Sequence, residues 1–124
     1  MKSFIVDACV WIEYLKGNDA LAWLAEEKNL KTTTLTVAEV VRVLLREKKA
    51  SEAVRKALEV INQKSVVLDL DFQTAAKAGE IAVKERLPLA DSIVYAYASP
   101  ENIVLTADRD FEGKPFVEFV KKPA

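Results

Sequence analysis

The chain has 124 residues, of which 51% are hydrophobic and 30% charged, a balance typical of a globular domain and not of a disordered or membrane-embedded chain. Its 18 basic and 19 acidic residues give a net charge of −1, which argues against a non-specific nucleic-acid coat. One cysteine and no histidine exclude an internal disulfide and a thiolate zinc site, so acid, base and metal chemistry must rest on carboxylates and water.

The same features set expectations for organisation and location. No apolar run reaches the roughly 18 residues that a membrane span requires, and an acid interrupts the apolar N-terminal stretch that a secretory signal would need. We therefore expect a cytoplasmic protein without membrane association. Because 124 residues are enough to bury one core, we expect residues 1–124 to form a single domain.

The start of the chain predicts a strand followed by two helices. The apolar run SFIV with Asp7 indicates a buried parallel strand that ends at this aspartate. Apolar residues at helical spacing then predict a helix that stops at Gly17. Asp19 is predicted to cap a second, short helix.

The middle of the chain predicts further strands and helices in alternation. β-branched residues at 31–36 indicate a strand, after which Thr36 is expected to cap a long helix over residues 37–49. A helix at 51–64 and a strand at 65–70 follow.

The last third predicts two helices and two strands. Pro88 separates a helix over residues 71–86 from the next helix, which ends at Pro100. Strands at 102–107 and 116–120 close the chain. This alternation predicts an α/β protein, a three-layer α/β/α sandwich with a mainly parallel sheet, in which function collects where strand C-termini meet helix N-termini.

Acidic residues recur at that edge of the predicted sheet. They stand at the ends or beginnings of four elements: Asp7, Glu39, Asp91, and the pair Asp108 and Asp110. Hard oxygen ligands of this kind suit Mg²⁺ or Mn²⁺, which keep several waters and accept phosphate oxygens. Taken singly, each acid is equally consistent with helix capping, a favourable position in the helix dipole or a solvated turn.

Four segments carry a family resemblance: VDACVWIEYL, TVAEVVR, LADSIVYAYA and LTADRDFEG, in this order. Together they resemble the PIN-domain family of metal-dependent ribonucleases, most closely its small VapC-type toxins, over nearly the whole chain. The resemblance implies a PIN-like fold and an endoribonuclease of a type II VapBC-like toxin–antitoxin module, which hydrolyses RNA phosphodiesters with a metal-activated water. It also implies Mg²⁺ or Mn²⁺ as cofactor, a homodimer and a VapB-like antitoxin partner.

Carried over residue by residue, the resemblance makes an acidic quartet the catalytic and metal-binding set: Asp7, Glu39, Asp91 and Asp108. Asp110 is an accessory metal ligand or a supporting acid, and Thr106 matches the hydroxyl residue just before the last acids. Cys9 departs from the family pattern, since members usually carry serine or threonine there to orient the first carboxylate. A thiol is a poorer donor than a hydroxyl.

Other residues are candidates for binding partners. Four basic residues near the acids are candidate contacts for RNA or antitoxin, although basic residues on a helix are usually only solvated: Arg42, Arg46, Arg109 and Lys114. Four apolar residues are candidates for a dimer interface: Trp11, Leu15, Leu44 and Leu45. Two alternative functions stay open, a catalytically inactive PIN-like scaffold that binds RNA or protein, and a metal-dependent DNA nuclease or phosphatase.

Overall fold

Residues 2–120, the part of the chain that the computed structural model describes, contain one five-stranded sheet. Its strands are β1 (Ser3–Val6), β2 (Leu30–Thr33), β3 (Ser65–Leu68), β4 (Asn102–Thr106) and β5 (Val117–Phe119). They lie in the order β3-β2-β1-β4-β5, and each neighbouring pair is parallel. The predicted parallel sheet is therefore confirmed, with β1 at its centre and β4 directly beside it.

Helices connect the strands. The α-helices of the described residues are α1 (Ala8–Leu15), α2 (Thr34–Arg46), α3 (Ser51–Lys64), α4 (Phe72–Lys84) and α5 (Leu89–Tyr95). Short 3₁₀ helices are formed by Asp19–Ala25 and Arg109–Phe111. None of these helices is long and apolar enough to cross a lipid bilayer.

Alternate residues of the two central strands face opposite sides of the sheet. Val6 and Leu105, which lie opposite each other in register, pack into a core cluster with residues of α1, α2 and α3. Ile5 and Val104 instead pack with Val94 of α5 on the other side. Since α4 packs against α5, helices cover both faces of the sheet, which confirms the predicted α/β/α sandwich.

Two helix starts differ from their predictions. The second helix is a 3₁₀ helix, and Asn18 caps it instead of Asp19, because its side chain accepts the Ala20 N–H at 3.0 Å. Thr33 caps α2 instead of Thr36, because the Thr33 hydroxyl accepts the Thr36 N–H at 3.0 Å. In both cases the helix starts after the residue whose side chain reaches an amide two or three residues ahead.

Helix ends show one confirmation and one difference. Gly17 has φ +84°, a left-handed conformation suited to glycine, and it follows the end of α1 as predicted. α5, however, ends at Tyr95 and not at Pro100. Ser99 and Asn102 pair through backbone hydrogen bonds of 3.0 and 3.1 Å, so the chain has already turned into β4 around the proline.

The apolar residues predicted to form a dimer interface lie mainly in the core. Trp11 is fully buried and its indole N–H donates to Thr32 Oγ1 at 3.1 Å, and Leu44 is also buried. Leu45 is the exposed member of that set. The two most exposed large apolar side chains of the described residues instead lie on α4, Phe72 and Val83, and Leu89 just beyond it is also exposed.

Candidate active site

A cavity of about 710 Å³ opens at the carboxyl edge of the sheet, where the acids were predicted to meet. The whole predicted quartet lines it: Asp7, Glu39, Asp91 and Asp108. Because β1 and β4 are parallel neighbours, Asp7 and Asp108, which follow these strands, come to the same edge. α2 and α5 contribute Glu39 and Asp91 from their N-terminal halves.

Asp7 is the most buried of these acids, with 6% of its surface exposed. It caps α1, and its Oδ1 accepts the Ala8 N–H at 2.9 Å. Its Oδ2 accepts the Thr106 hydroxyl at 2.8 Å. Burial raises the pKa of Asp7 above its ordinary value, against the lowering effect of these two hydrogen bonds. The two hydrogen bonds therefore hold the side chain in one orientation. Because its pKa is raised, Asp7 takes up a proton at a higher pH than an exposed aspartate does.

Thr106 links the first acid to the last two. Its hydroxyl donates to Asp7 and accepts the backbone N–H of Asp108 at 3.0 Å. Asp108 in turn caps the second 3₁₀ helix, since its Oδ1 accepts the Asp110 N–H at 2.9 Å. This chain of hydrogen bonds ties the end of β1 to the end of β4, so Thr106 occupies the supporting place predicted for it.

Cys9 lies beside the same pair. Its Sγ lies 3.7 Å from both Asp7 Oδ2 and Thr106 Oγ1, and it accepts the Ala107 N–H at 3.4 Å. The thiol thus occupies the space in which a family hydroxyl would contact the first acid. Sulfur is a weak donor and acceptor, so the orientation of Asp7 depends chiefly on its hydrogen bonds from the Ala8 N–H and the Thr106 hydroxyl.

Asp91, Asp108 and Asp110 form the tightest group of acids in the described residues. One carboxylate oxygen from each lies within 4.8 Å of the other two. Burial, then the charges of Asp108 and Asp7, raise the pKa of Asp91 to about 7. Hard oxygen donors at such spacing fit a divalent cation, whose charge would relieve their repulsion. The structure therefore groups Asp110, which was predicted as an accessory ligand or a supporting acid, directly with Asp91 and Asp108.

Glu39 faces the triad from α2 and is half-buried. Burial raises its pKa most, the charge of Asp7 raises it further, and Arg42 lowers it. Arg42 Nη2 lies 4.0 Å from Glu39 Oε2, at the limit of an ion pair. Glu39 is thus, like Asp91, a half-buried acid of the cavity wall whose pKa is raised.

The family assignment follows from comparison with known proteins. The sequence model of the PIN domain matches residues 4–117, nearly the whole chain. This chain belongs to the PIN domain family. No curated protein matches its sequence.

Solved structures similar to this PIN domain are distant in sequence. A toxin–antitoxin complex from Klebsiella pneumoniae is 16% identical, with a TM-score of 0.81 over 98% of this chain and 100% of that one. DNA-bound VapBC from Salmonella typhimurium is 20% identical, with a TM-score of 0.70 and 98% of both chains covered. Mycobacterium tuberculosis VapC20, described as a sarcin–ricin loop cleaving toxin, is 17% identical, with a TM-score of 0.63 over 76% of this chain and 79% of that one. At these identities the likeness establishes a shared fold.

The predicted basic contacts of the PIN domain divide into two pairs. Arg109 lines the cavity, and Arg42 lies beside Glu39. Arg46 and Lys114 are not among the lining residues, and the Lys114 ammonium lies 3.0 Å from a Glu85 carboxylate oxygen. The structure therefore brings two of the four cations to the acids.

Part of the cavity wall was not predicted. It consists of residues on α1 and α2 and just beyond their ends: Ile12, Glu13, Lys16, Val43 and Glu47. Helical spacing contained the signal, because residues 9, 12, 13 and 16 fall on one face of a helix, as do 39, 43 and 47. The wall of this PIN-domain cavity therefore continues for two helical turns beyond Cys9 on α1 and beyond Glu39 on α2.

Proposed function

We propose that this PIN domain is a metal-dependent endoribonuclease and the toxin of a type II toxin–antitoxin module. The observation that carries the proposal is the convergence of four carboxylates from separate elements at one open cavity, two of which, Asp91 and Asp108, are spaced with Asp110 for a divalent cation. The toxins and complexes named among the similar structures support the same assignment.

The cation site consists of the acid triad with Asp7 beside it. Asp91, Asp108 and Asp110 would hold Mg²⁺ or Mn²⁺, and Asp7, which lines the same cavity as Asp91 and Asp108, would be a further ligand. Bound there, the cation supplies Lewis acidity toward a phosphate oxygen and lowers the pKa of water. Thr106 keeps Asp7 aimed at this position and keeps the Asp108 backbone against it.

Glu39 acts as the proton acceptor in the proposed hydrolysis. Its raised pKa makes the Glu39 carboxylate a better base than an exposed one. As the water oxygen forms a bond to phosphorus, Glu39 takes the water proton, and the bond from phosphorus to the leaving oxygen breaks. Solvent protonates the leaving oxygen at the open side of the cavity. The chain needs no protein nucleophile, in keeping with a site built of carboxylates.

Basic side chains at the cavity rim support a polyanionic substrate. Arg109 and Arg42 lie where they can contact phosphates on either side of the one that is cleaved. We propose RNA as the substrate and the cytoplasm as the place of action. The five intact carboxylates favour this reaction over the inactive-scaffold alternative.

The direct test uses purified protein and labelled oligonucleotides. Structured and unstructured RNAs, with DNA strands of the same sequences, are incubated in EDTA, Mg²⁺ or Mn²⁺. We expect cleavage of RNA, with either cation, by the parent and by the exposed-site control Glu52→Gln, and no cleavage by Asp108→Asn. Preferential cleavage of DNA would make the protein a DNA nuclease, and cleavage in EDTA would refute the metal-dependent mechanism.

The toxin role and the assembly need separate tests. Expression of the parent in bacteria should arrest growth, expression of Asp108→Asn should not, and co-expression of a VapB-like antitoxin should restore growth. The exposed apolar side chains of Phe72, Val83 and Leu89 support self-association. Light scattering should give a homodimer for the parent and a monomer for Phe72→Ser with Val83→Ser.

A further inference from the structure

The cavity extends well beyond the acids. Its wall continues from Asp7 along α1 as far as Lys16. At 1.5 Å of helix rise per residue this distance is about 13 Å. Each strand of a duplex carries a phosphate about every 3.4 Å of the helix axis, and an extended single strand spaces its phosphates further apart, so this length corresponds to at most about four nucleotides on this side of the scissile phosphate.

An exposed ion pair stands at the far end of the cavity. Lys16, the residue after α1, places its Nζ 3.5 Å from Oε2 of Glu47, the residue after α2. Their side chains are 47% and 38% exposed, and an ion pair this open adds little to stability. Its position in the wall of the cavity is therefore better explained by binding than by folding.

The stretch between the two ends presents two apolar side chains beside one acid, Glu13. Ile12 of α1 and Val43 of α2 line the cavity between the acids and the Lys16–Glu47 pair. Bases can lie against such a surface without leaving buried polar groups unpaired, while the phosphates reach the charged groups at each end. A cation site at one end, apolar side chains between the ends and the Lys16 ammonium at the other end would suit a short segment of single-stranded RNA.

We propose that Lys16 binds an RNA phosphate at most about four nucleotides from the scissile one, and that Glu47 holds the Lys16 side chain when no RNA is present. The inference rests on the proposed ribonuclease function and names a positioning residue for it. When RNA enters, the Lys16 ammonium exchanges the Glu47 carboxylate for a phosphate. Glu47 thus competes with the phosphate for Lys16 and weakens the binding of strands that extend to this end of the cavity.

Equilibrium binding tests both residues. In the Asp108→Asn background with Mg²⁺, fluorescence anisotropy of a labelled eight-nucleotide RNA should show Lys16→Ala weakening affinity about three- to tenfold. The slope of log affinity against log salt should fall by about 0.7, as for one lost phosphate contact on a single strand. Glu47→Gln should strengthen affinity about two- to fivefold, and the double variant should lose that gain. Lys77→Ala, an exposed lysine outside the cavity wall, is the matched control and should change neither quantity.

Cleavage kinetics separate positioning from catalysis. With cleavable RNA, Lys16→Ala should raise KM without changing kcat, and Lys16→Arg should restore KM. A dinucleotide that cannot reach Lys16 should be cleaved equally by parent and variant. An unchanged KM and salt slope in Lys16→Ala, or weaker binding by Glu47→Gln, would overturn this inference while RNA cleavage by the parent upheld the proposed function. If the parent neither binds nor cleaves RNA, both fail.

Discussion

The acids of α3 and the acids of the cavity differ in what lies opposite them. Glu52 and Glu59 both pair with Arg55 of the same helix, at spacings of three and four residues. Of the five site acids, only Glu39 lies within ion-pair distance of a cation in residues 2–120, and that contact with Arg42 is 4.0 Å. The acids of α3 are therefore paired with an arginine of their own helix, whereas most of the site acids face other carboxylates.

This difference separates acids that serve the fold from acids that serve a site. Pairs at i, i+3 and i, i+4 stabilise the helix that carries them. Burial and neighbouring carboxylates instead raise the pKa of Asp7, Glu39 and Asp91, so their charged forms are less favourable in the folded protein than in the unfolded chain. Carboxylates that lie together in a cleft although this raises their pKa values and lowers stability are the expected signature of a functional site.

The largest expected effect is the loss of RNA cleavage when the first acid, Asp7, is replaced. Asp7→Asn should lower cleavage by at least about 100-fold, because it removes a carboxylate beside the cation, whereas loss of a residue that only supports a ligand costs about 10- to 100-fold. The asparagine can still cap α1, so the circular dichroism spectrum and melting temperature should stay close to those of the parent. Glu52→Gln on α3 should keep full activity. Mg²⁺-dependent cleavage at the parent rate by Asp7→Asn would contradict the assignment.

Thr106→Val should have the next largest effect. It removes the hydroxyl that donates to Asp7 and leaves the Asp108 N–H without this acceptor in a buried place. We expect activity to fall about 10- to 100-fold, and the free energy of unfolding to fall by about 1–3 kcal/mol. Rate measurements and urea denaturation check the two parts. Thr106→Ser, which keeps the hydroxyl, should recover most of the activity, and its failure to do so would argue against the hydrogen-bond role.

Divalent cations should stabilise the folded protein through the cavity acids and independently of the acids of α3. At about 100 times its Kd, a cation that binds only the folded protein adds about 2.7 kcal/mol, which raises the Tm by on the order of 10 °C in a chain of this size. Differential scanning fluorimetry with Mg²⁺ or Mn²⁺ should show this rise in the parent and in Glu52→Gln. The double variant Asp7→Asn, Asp91→Asn should show little of it. Equal shifts in all three proteins would place the cation elsewhere.

The effect of pH on stability should be smaller than the effect of divalent cations. Its sign should be opposite to that for a carboxylate whose pKa is lowered by an ion pair. The pKa of Asp91 is raised from 3.8 to about 7, so the folded protein binds this proton more tightly than the unfolded chain does. The resulting stabilisation is complete below about pH 4 and is lost as the pH rises through 7. In EDTA, the Tm of the parent should therefore fall over this range more than that of Asp91→Asn. Parallel pH profiles would show that Asp91 does not titrate in this way.

Cys9→Ser should have the smallest effect. Serine places a hydroxyl where the thiol now contacts Asp7 and Thr106, and a hydroxyl is the better donor at nearly the same volume. Activity should stay within about twofold of the parent or rise, since the change affects a weak hydrogen bond. Initial rates at saturating Mg²⁺ measure this, with Glu52→Gln as the reference variant. A large loss of turnover with unchanged cation affinity and Tm would indicate a catalytic thiol and would overturn the carboxylate mechanism.

The sequence by itself determined the features that depend on neighbouring residues. Alternating strand and helix patterns established the order of elements, and the acids at the ends of β1 and β4 followed from where those patterns stop. Helical spacing likewise contained the cavity face of α1, although the prediction stopped at Cys9. Resemblance in four short segments supplied the family, which the sequence model over residues 4–117 confirmed.

The tertiary structure decided whatever depends on distances between elements. The register that sets Val6 opposite Leu105 brings Asp7 within a hydrogen bond of Thr106, and no local pattern contains that register. Packing of α5 against the sheet likewise groups Asp110 with Asp91. The Lys16–Glu47 pair forms because α1 and α2 end side by side. Side-chain periodicity predicts which face of an element is buried, but only packing in three dimensions determines which faces meet and at what distance.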